Sequence, residues 1–421
     1  MNSLELVWTP SAHARRLLSV AGMATLAAIF TGRTGLLALA APALLLLVSA
    51  DRRPMPQWMR LAAVVSPDRC VEDDTIELAI EVDVDHMLGQ IDLTLAPRGP
   101  VRLETPARAI VELRTKQVIR RWQLRALRWG RWTPATLTVV VRDRSRLWQA
   151  TARCQVGDLT VYPRPAAMNR LVIPQTLLDR IGIHTGRPVG SGVEFAGIRP
   201  YVAGDRSRDV HWPASLRRGE LQVIQHVAER GADVIVALDA FSDVGGSLER
   251  SVRGCAGVAR AYLRSGDRVG LVVLGGILRW LRPDTGQRTL YRITEAVLTV
   301  RLDDSVVTPD LARVPRGALP PSALVVLFSP LLDDRALATI EDLRGRGVTL
   351  LIVDVLTTEP QLPRRPGVAE DLALRLWRLD RAALRFRLGQ LGITVVGWDE
   401  HTGLDEVLAP LQTRPMAGRA R

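Results

Sequence analysis

The sequence predicts an α/β protein in which a doubly wound, mostly parallel sheet is preceded by a transmembrane helical hairpin and an all-β sandwich. Three patterns support this prediction. Two apolar runs lie near the N-terminus, short runs of alternating polarity come next, and from about residue 232 continuous apolar runs alternate with helical periods. A chain of 421 residues has room for two or three domains, each with its own core. We expect segments at 1–60, 61–165, 166–231 and 232–421.

Composition excludes a disordered chain and disfavours a nucleic-acid partner. Hydrophobic residues make up 47% of the chain and charged residues 24%, which is typical of globular proteins. The net charge of +12 would suit nucleic acid or an anionic membrane surface. The positive charge is almost entirely arginine, however, and it is spread along the chain without a basic block interleaved with aromatic residues. We therefore expect a solvated, arginine-rich surface and no nucleic-acid partner.

The two N-terminal apolar runs, 17–30 and 36–50, predict the membrane hairpin. Each run is short for a span of about twenty residues, but neither has the polar face of a soluble helix. We expect helices at about 15–31 and 34–50, with a cleaved signal peptide as the alternative for the first run. Arg33 alone lies in the turn, whereas five arginines flank the pair: Arg15, Arg16, Arg52, Arg53 and Arg60. This asymmetry predicts a multi-pass cell-membrane protein, with two helices and with its soluble domains in the cytoplasm.

Residues 61–165 have the sequence pattern of an all-β domain. Thr75–Val84 alternates between polar and apolar side chains, which is the period of a half-buried strand. Similar runs recur at 91–95, 109–113, 118–124 and 137–141, with Pro, Gly and Asp between them. The pattern predicts a small immunoglobulin-like sandwich. We interpret four tryptophans as core and edge anchors of the sandwich rather than as a stacking platform for a ligand: Trp122, Trp129, Trp132 and Trp148.

The C-terminal part of the chain predicts a parallel sheet with its functional groups at the carboxyl ends of the strands. Val234–Asp239 is a continuous apolar run that ends in a carboxylate, as expected for a strand buried on both faces. Further strands are expected at 269–274, 323–328, 349–353 and 393–396. Helices are expected between them at 248–263, 289–298, 335–343 and 368–391. In open sheets of this kind, ligands bind at the carboxyl edge.

Two carboxylates at this edge are candidate metal ligands. Asp239 ends the first strand and Asp243 follows it, and carboxylate oxygens are the ligands that Mg²⁺ prefers. The spacing is similar to the Asp-x-Ser-x-Ser metal motif of von Willebrand factor A domains, but Phe241 occupies a hydroxyl position and cannot bind a metal ion. Asp333 and Asp334 come too late in the chain and are expected to begin a helix instead. Mg²⁺ bound by Asp239 and Asp243 is thus the only cofactor that the sequence suggests.

The stretch from Gly192 to Trp212 concentrates glycines, charges of both signs and aromatic residues without a helical or strand period. Four of its side chains could form a metal or acid/base site: Glu194, Asp205, Asp209 and His211. The alternative is that its arginines pair with these carboxylates and hold a rigid recognition loop beside the sheet. No nucleophile motif, Walker loop or dinucleotide fingerprint occurs at the strand-to-helix junctions, so we predict no catalytic residues. Cys70, Cys154 and Cys255 are too few and too far apart for a zinc site.

The same stretch resembles a known family. Two motifs carry the resemblance, Gly-x-Glu-Phe and, after it, Arg-x-Tyr-x-x-Gly-Asp-x-x-Arg-Asp-Val-His-Trp. The residues that carry it are Glu194, Phe195, Arg199, Tyr201, Gly204, Asp205, Arg208, Asp209, His211, Trp212, Ala214 and Arg217. The chain resembles the bacterial domain-of-unknown-function family fifty-eight. These are membrane proteins often encoded beside MoxR-type AAA+ ATPases, with a degenerate von Willebrand factor A-like domain. The resemblance implies work with such an ATPase in maturation, metal insertion or envelope stress, and it supplies no catalytic residues.

The leading hypothesis is therefore a membrane-anchored, non-enzymatic adaptor or scaffold. Its A-like domain would bind a MoxR-type ATPase and other proteins of the same system, and the residues of the resemblance would be its partner-binding set. Two alternatives remain open. One is a metal-dependent hydrolase or nuclease that uses the region of Glu194, Asp205, Asp209 and His211. The other is an envelope-facing adhesion module with the opposite topology.

Overall fold

A computed structural model describes the greater part of the chain. It covers residues 2–48, 55, 57–84, 89–112, 117–168, 189–202, 209–227, 233–275, 277–302, 309–321, 323–363, 367–399 and 401–409. Asn2, Leu47, 189–196 and 225–227 are described by their backbone alone. The chain forms two compact units, Met1–Arg164 and Pro165–Arg421. The finer division into four segments stays a prediction.

The first unit consists of β-sandwich-like sheets. One sheet has the strand order β1 (Asn2–Glu5), β3 (Trp58–Ser66), β5 (Thr75–Val84), β9 (Gln117–Ala126) and β7 (Val101–Leu103). The second has the order β2 (Trp8–Pro10), β12 (Trp148–Val156), β11 (Ala135–Arg142), β6 (Gln90–Pro97) and β8 (Arg108–Glu112). A third, short sheet contains β10 (Gly130–Trp132), β13 (Leu159–Tyr162) and β4 (Arg69–Val71).

The core of this unit follows from the two-residue period of its strands. In β5, Ile76, Leu78, Ile80, Val82 and Val84 are all buried, because alternate side chains of a strand lie on the same face. They share one apolar cluster with the buried residues of β6 and β11. The Trp122 indole is buried in the same cluster and donates a 3.1 Å hydrogen bond to the Pro106 carbonyl. The described strands of this unit thus share one apolar core.

The predicted pair of membrane-spanning helices is wrong. The first ten residues are not a free tail, since β1 pairs with β3 and β2 pairs with β12. Helix α1 (Ala12–Thr31) is long and apolar enough to cross a membrane, whereas α2 (Leu37–Val48) has 12 residues. At 1.5 Å per residue, α2 is about 18 Å long and a hydrocarbon core is about 30 Å thick. One candidate span therefore replaces the two helices expected at 15–31 and 34–50.

The first elements described in the second unit form a small antiparallel module that includes the two ends of the Gly192–Trp212 stretch. Strands β14 (Val189–Pro200) and β15 (Gln222–Val227) form a two-stranded sheet, and helix α3 (Trp212–Arg218) lies between them in sequence. We call these three elements the signature module. The register shifts twice between Gly190 and Gly197, so the glycine-rich end of β14 is irregular.

The rest of the second unit contains a six-stranded sheet. Its order is β18 (Arg279–Asp284), β17 (Arg268–Leu274), β16 (Asp233–Asp239), β19 (Leu324–Ser329), β20 (Thr349–Asp354) and β21 (Thr394–Gly397). Only β18 is antiparallel to its neighbour. The helices are α4 (Ser247–Arg264), α5 (Gly286–Leu298), α6 (Asp334–Gly345), α7 (Val368–Gln390) and α8 (Leu404–Leu408). One face of the sheet packs in an apolar cluster with α6 and α7. On the other face, Gly254 of α4 lies against the Phe328 ring, where a Cβ atom would come within 2.2 Å of it.

The predicted fold class is therefore wrong for the chain as a whole. The strands are found mostly in β-sandwich-like sheets, and β-structure begins at residue 2, in the segment 1–60 that was expected to hold only a tail and a helical hairpin. The error has a physical cause, since β1 and β2 are too short to show a period of their own. They are held by partners far along the chain, such as the pairing of Pro10 with Trp148. The resemblance to a von Willebrand factor A domain stays a prediction.

Candidate functional site

Three polar residues meet at the carboxyl edge of the six-stranded sheet. Asp239 ends β16, Ser329 ends β19 and Asp354 ends β20, and these strands are direct neighbours. Ser329 and Asp354 are paired in the strand register. All three side chains are almost completely buried, at 0–1% exposure. Buried polar groups must find hydrogen-bond partners, and the identity of those partners decides what this edge can do.

Asp239 is held by donors from two neighbouring segments. Its Oδ2 accepts a 2.6 Å hydrogen bond from the Ser329 hydroxyl, and its Oδ1 accepts one of 2.9 Å from the Phe241 N–H. The Ser329 oxygen in turn accepts a 2.9 Å hydrogen bond from the Leu331 N–H. Burial raises the pKa of Asp239 to about 6, and the hydrogen bonds from Ser329 and Phe241 limit the rise. This carboxylate thus ties together the ends of two strands.

Asp354 is neutralised by two arginines of α7. Its Oδ2 accepts hydrogen bonds of 2.6 Å from Arg381 and of 2.7 and 3.0 Å from Arg385. Arg381 is itself buried and donates two further bonds, each of 2.8 Å, to the carbonyls of Pro330 and Leu331. A buried guanidinium with most of its donors engaged in this way fastens α7 to the sheet edge.

The residues after β16 are also committed to local structure. The Oδ1 of Asp243 accepts a 3.1 Å hydrogen bond from the Leu248 N–H and so caps the first turn of α4. The Phe241 ring lies under the Arg335 guanidinium, 4.5 Å from its centre. Arg335 also forms a two-pronged bond with Asp333, which lowers the pKa of that carboxyl below its ordinary value. The buried Ser242 hydroxyl has no hydrogen-bond partner in the described part of the chain.

This donor set does not fit a divalent cation. Both oxygens of Asp239 accept hydrogen bonds, Asp243 caps a helix, and the charge of Asp354 is balanced by guanidinium groups. Mg²⁺ requires a near-octahedral shell of oxygen ligands, and Phe241 supplies none. Among the residues that the structure describes, no three His, Cys, Asp or Glu side chains are grouped closely enough to hold a metal ion. We therefore derive no metal-dependent step at this edge.

The polar residues of the signature module form hydrogen bonds that hold the module together. The Nδ1 atom of His211 accepts a 3.1 Å hydrogen bond from the Ala214 N–H and caps α3. The His211 N–H donates 2.8 Å to the carbonyl of Gln222, whose own N–H donates 2.8 Å to the buried Ser215 hydroxyl. In β14, the Arg199 guanidinium donates 2.9 Å to the Pro200 carbonyl. The bonds of Gln222 with His211 and Ser215 connect α3 to the start of β15.

The structure describes the contacts of few of the four side chains that could form a hydrolase site. Asp205 lies outside the described residues, as do Gly204 and Arg208 of the resemblance, and the side chains of Glu194 and Phe195 are not described. Asp209 is half-buried just before α3. His211 is the member whose contacts are clear, and the nitrogen that accepts from Ala214 is occupied by the helix cap. A free base at that nitrogen would require the cap to open.

The module also exposes a group of large apolar side chains. On α3, Trp212 is 63% exposed and Leu216 is 83% exposed, and the spacing of four residues places them on one helix face. Tyr201, Val202 and Leu221 are exposed as well, and the Tyr201 N–H donates 2.8 Å to the Leu221 carbonyl. We call these five residues the signature patch. Arg217 is exposed on the same helix.

Some of these residues were missed from the sequence. Leu216 was recognisable in principle, because it follows Trp212 by four residues in a short polar helix. Ser329 and Asp354 also follow a simple pattern, since each ends a buried strand. The roles of Arg381 and Arg385 had no local signal, because their partner is 27 or more residues away in the chain.

Comparison with protein families gives one match. Residues 197–370 match the family described as protein of unknown function DUF58. This segment includes most of the signature module and the strands β16 to β20, and it is less than half of the chain. The match supports the DUF58 part of the predicted resemblance, while the association with a MoxR-type ATPase stays a prediction. No functionally curated protein shows significant similarity to the chain.

The solved structures that resemble parts of the chain are distant. The cupredoxin domain of amoB from Nitrosocaldus yellowstonii is 8% identical, with 27% of this chain and 96% of that chain covered and a TM-score of 0.19. Native alpha-2-macroglobulin from Escherichia coli, from domain MG7 to the C-terminus, is 15% identical, with 28% and 21% covered and a TM-score of 0.19. A FixG-related protein from Vibrio parahaemolyticus is 10% identical, with 24% and 94% covered and a TM-score of 0.16. Scores this low carry no argument about fold or function.

Proposed function

We propose that the protein is a membrane-anchored, non-enzymatic adaptor whose second unit binds a protein partner through the signature patch. The observation that carries the proposal is the exposure of Trp212 and Leu216 on one face of α3. Large apolar residues that remain exposed side by side are typical of interaction surfaces. Tryptophan is also among the residues that contribute most binding energy at protein interfaces.

The short helix is well suited to present these side chains. The His211 cap and the buried Ser215 and Gln222 hold α3 against β15, so that its outer face needs no rearrangement before binding. Arg217 supplies a charged rim beside the apolar residues. Interfaces commonly combine such an apolar centre with a polar rim, and arginine is enriched in them.

The sheet edge supports a binding role over a catalytic one. Each of its carboxylates is engaged by internal donors, and the Asp239 and Asp354 side chains are buried. A hydrolase would need a base that can reach its substrate. The hydrogen bonds at this edge instead fasten strands and helices to one another.

The proposed partner is a MoxR-type AAA+ ATPase, in protein maturation or the response to envelope stress. This part of the proposal rests on the DUF58 match and on the resemblance of Glu194 to Arg217 to that family. Helix α1 is the candidate anchor by its length and composition. The proposal places the second unit in the cytoplasm, where an ATPase would have access to it.

The test is binding of the full-length protein, purified in detergent, to the ATPase encoded nearest to it. We expect association that depends on nucleotide state, and we expect Trp212→Ala to weaken it by roughly tenfold or more, as at an interface hot spot. Ile277→Ala is the matched control, since this side chain is an exposed apolar residue outside the patch. No association with or without nucleotide, or equal binding by Trp212→Ala and the parent, would overturn the proposal.

A further inference from the structure

Helix α7 has two apolar faces, and only one of them packs on the sheet. Leu388 is buried in the core, and Leu384 packs against the same cluster. On the opposite side, Leu372, Leu376, Leu379 and Phe386 are 52–69% exposed. A helix at the surface of a globular unit normally shows polar residues there. The second apolar face is therefore uncovered by the part of the chain that the structure describes.

The spacing of this second face is that of a coiled coil. The steps from Leu372 to Leu376, Leu379, Ala383 and Phe386 are four, three, four and three residues. This is the alternation of a and d positions in a heptad repeat, which averages 3.5 residues per turn and forms a narrow seam for another helix. The pattern extends over three heptads. Its members, which we call the seam, are Ala369, Leu372, Leu376, Leu379, Ala383, Phe386 and Gln390.

The heptad assignment separates the two roles of the helix. Arg381 and Leu388 occupy f positions and Leu384 occupies a b position, which lie opposite the seam. These residues hold α7 to its own sheet through the Asp354 pair and the apolar core. The seam is therefore free to bind without any loss of the contacts that fold the unit.

The flanking charges favour a second copy of the same helix in parallel orientation. Arg375 is at a g position and Asp380 is at the e position five residues later. In a parallel two-stranded coiled coil, these positions face each other across the seam, whereas an antiparallel arrangement brings g against g and e against e. Neither residue makes an ion pair within the described segments of the chain. Identical chains in parallel would thus form two Arg375–Asp380 pairs.

An anionic membrane surface fits this face less well. Interfacial helices carry basic residues beside their apolar face, because these residues are attracted to anionic lipid headgroups. The border of this seam is mixed rather than uniformly basic, since Asp380 borders it as Arg375 and Arg387 do, and Glu370 and Asp371 lie in the first turn. We propose that α7 is a self-association helix, through which two copies of the chain form a parallel coiled coil along the seam.

Cysteine cross-linking of the full-length protein in detergent tests the geometry. In a parallel, in-register pair, the two residues at one d position face each other within reach of a disulfide. We expect Leu379→Cys to give a covalent dimer on mild oxidation. Asp371→Cys, at an exposed c position of the same helix, should remain at the background of the parent chain, whose Cys70 and Cys255 are buried. Equal cross-linking of the two variants would overturn the proposal.

Exchange of the charges of Arg375 and Asp380 tests the orientation of the two helices and the identity of the partner. We expect the dimer dissociation constant, measured by sedimentation, to rise roughly tenfold in Asp380→Arg, because two attractive pairs become repulsive. Adding Arg375→Asp to that variant should restore the constant to within about threefold, because opposite charges again face each other. A monomeric parent protein, or a double variant as weak as the single one, would refute the seam as a dimer interface. These experiments use no ATPase, so their outcome is independent of the test of Trp212.

Discussion

The buried pair between Asp354 and Arg381 gives the most demanding prediction about stability. Arg381→Leu removes a buried guanidinium that binds the carboxylate at 2.6 Å and two carbonyls at 2.8 Å. Loss of one partner of a buried ion pair costs about 3–5 kcal/mol, because the other charge is left without compensation. Arg385 still contacts Asp354 after the change, so we expect the lower end of that range, about 3 kcal/mol.

Arg385→Leu is the matched control. Arg385 contacts the same carboxylate oxygen, but about half of its side chain is exposed and water screens its charge. We expect it to cost about 1 kcal/mol or less, in the range of exposed ion pairs. The two variants therefore differ in burial while they share a helix and a partner.

Hydrogen exchange of the β20 amides is the suitable assay, since a protein of two units need not unfold in a single step. A loss of about 3 kcal/mol in the free energy of opening corresponds to exchange roughly a hundred times faster. We expect this for Arg381→Leu and a change of less than about tenfold for Arg385→Leu. Similar, small effects of both substitutions would show that burial of the Arg381 guanidinium does not stabilise the sheet edge.

The remaining predictions concern a carboxylate and a pair of helical glycines. Because the pKa of Asp239 is raised to about 6 in the folded protein, the folded state binds this proton more tightly than the unfolded chain does, and stability should fall as the pH rises from about 4 through 6. Asp239→Asn should flatten this part of the pH profile in urea denaturation, and an unchanged slope would contradict the assignment. Gly254→Ala should lower the melting temperature, because the new methyl group would lie 2.2 Å from an aromatic ring of β19 and overpacking costs about 1–3 kcal/mol. Gly389→Ala, with no atom within 4 Å of its Cβ position, should leave the melting temperature unchanged or raise it.

The elements that the sequence predicted best are those with a long local period. In Thr75–Val84 each buried residue alternates with a more exposed one, and Asp233–Asp239 is buried almost throughout. Such patterns depend on which faces of a strand are covered, and neighbouring residues reveal this directly. The strands at 2–5 and 8–10 have no such period. Their positions depend on pairing with residues far away in the chain, so the first ten residues carry no local signal and are expected from the sequence to be a tail.

The candidate site shows the same limit at the level of side chains. Asp239 could be selected from the sequence because a carboxylate ends a buried strand. Its use could not, since the hydroxyl that binds it belongs to Ser329, ninety residues later. A carboxylate that coordinates a metal ion and one that fastens two strands have the same local sequence. Only the identity of the neighbouring donors distinguishes them.

The two proposed surfaces lie in different parts of the second unit, and this determines how they can be separated. The exposed residues of the signature patch fall within the 197–370 match to DUF58, whereas all of the seam except Ala369 lies beyond it. A patch variant such as Trp212→Ala should therefore weaken partner binding and leave the dimer intact. A seam variant such as Asp380→Arg should weaken the dimer, while each monomer keeps a complete patch. If partner binding instead falls in parallel with dimer dissociation, the partner must contact two copies at once, and the adaptor would work as a bivalent scaffold.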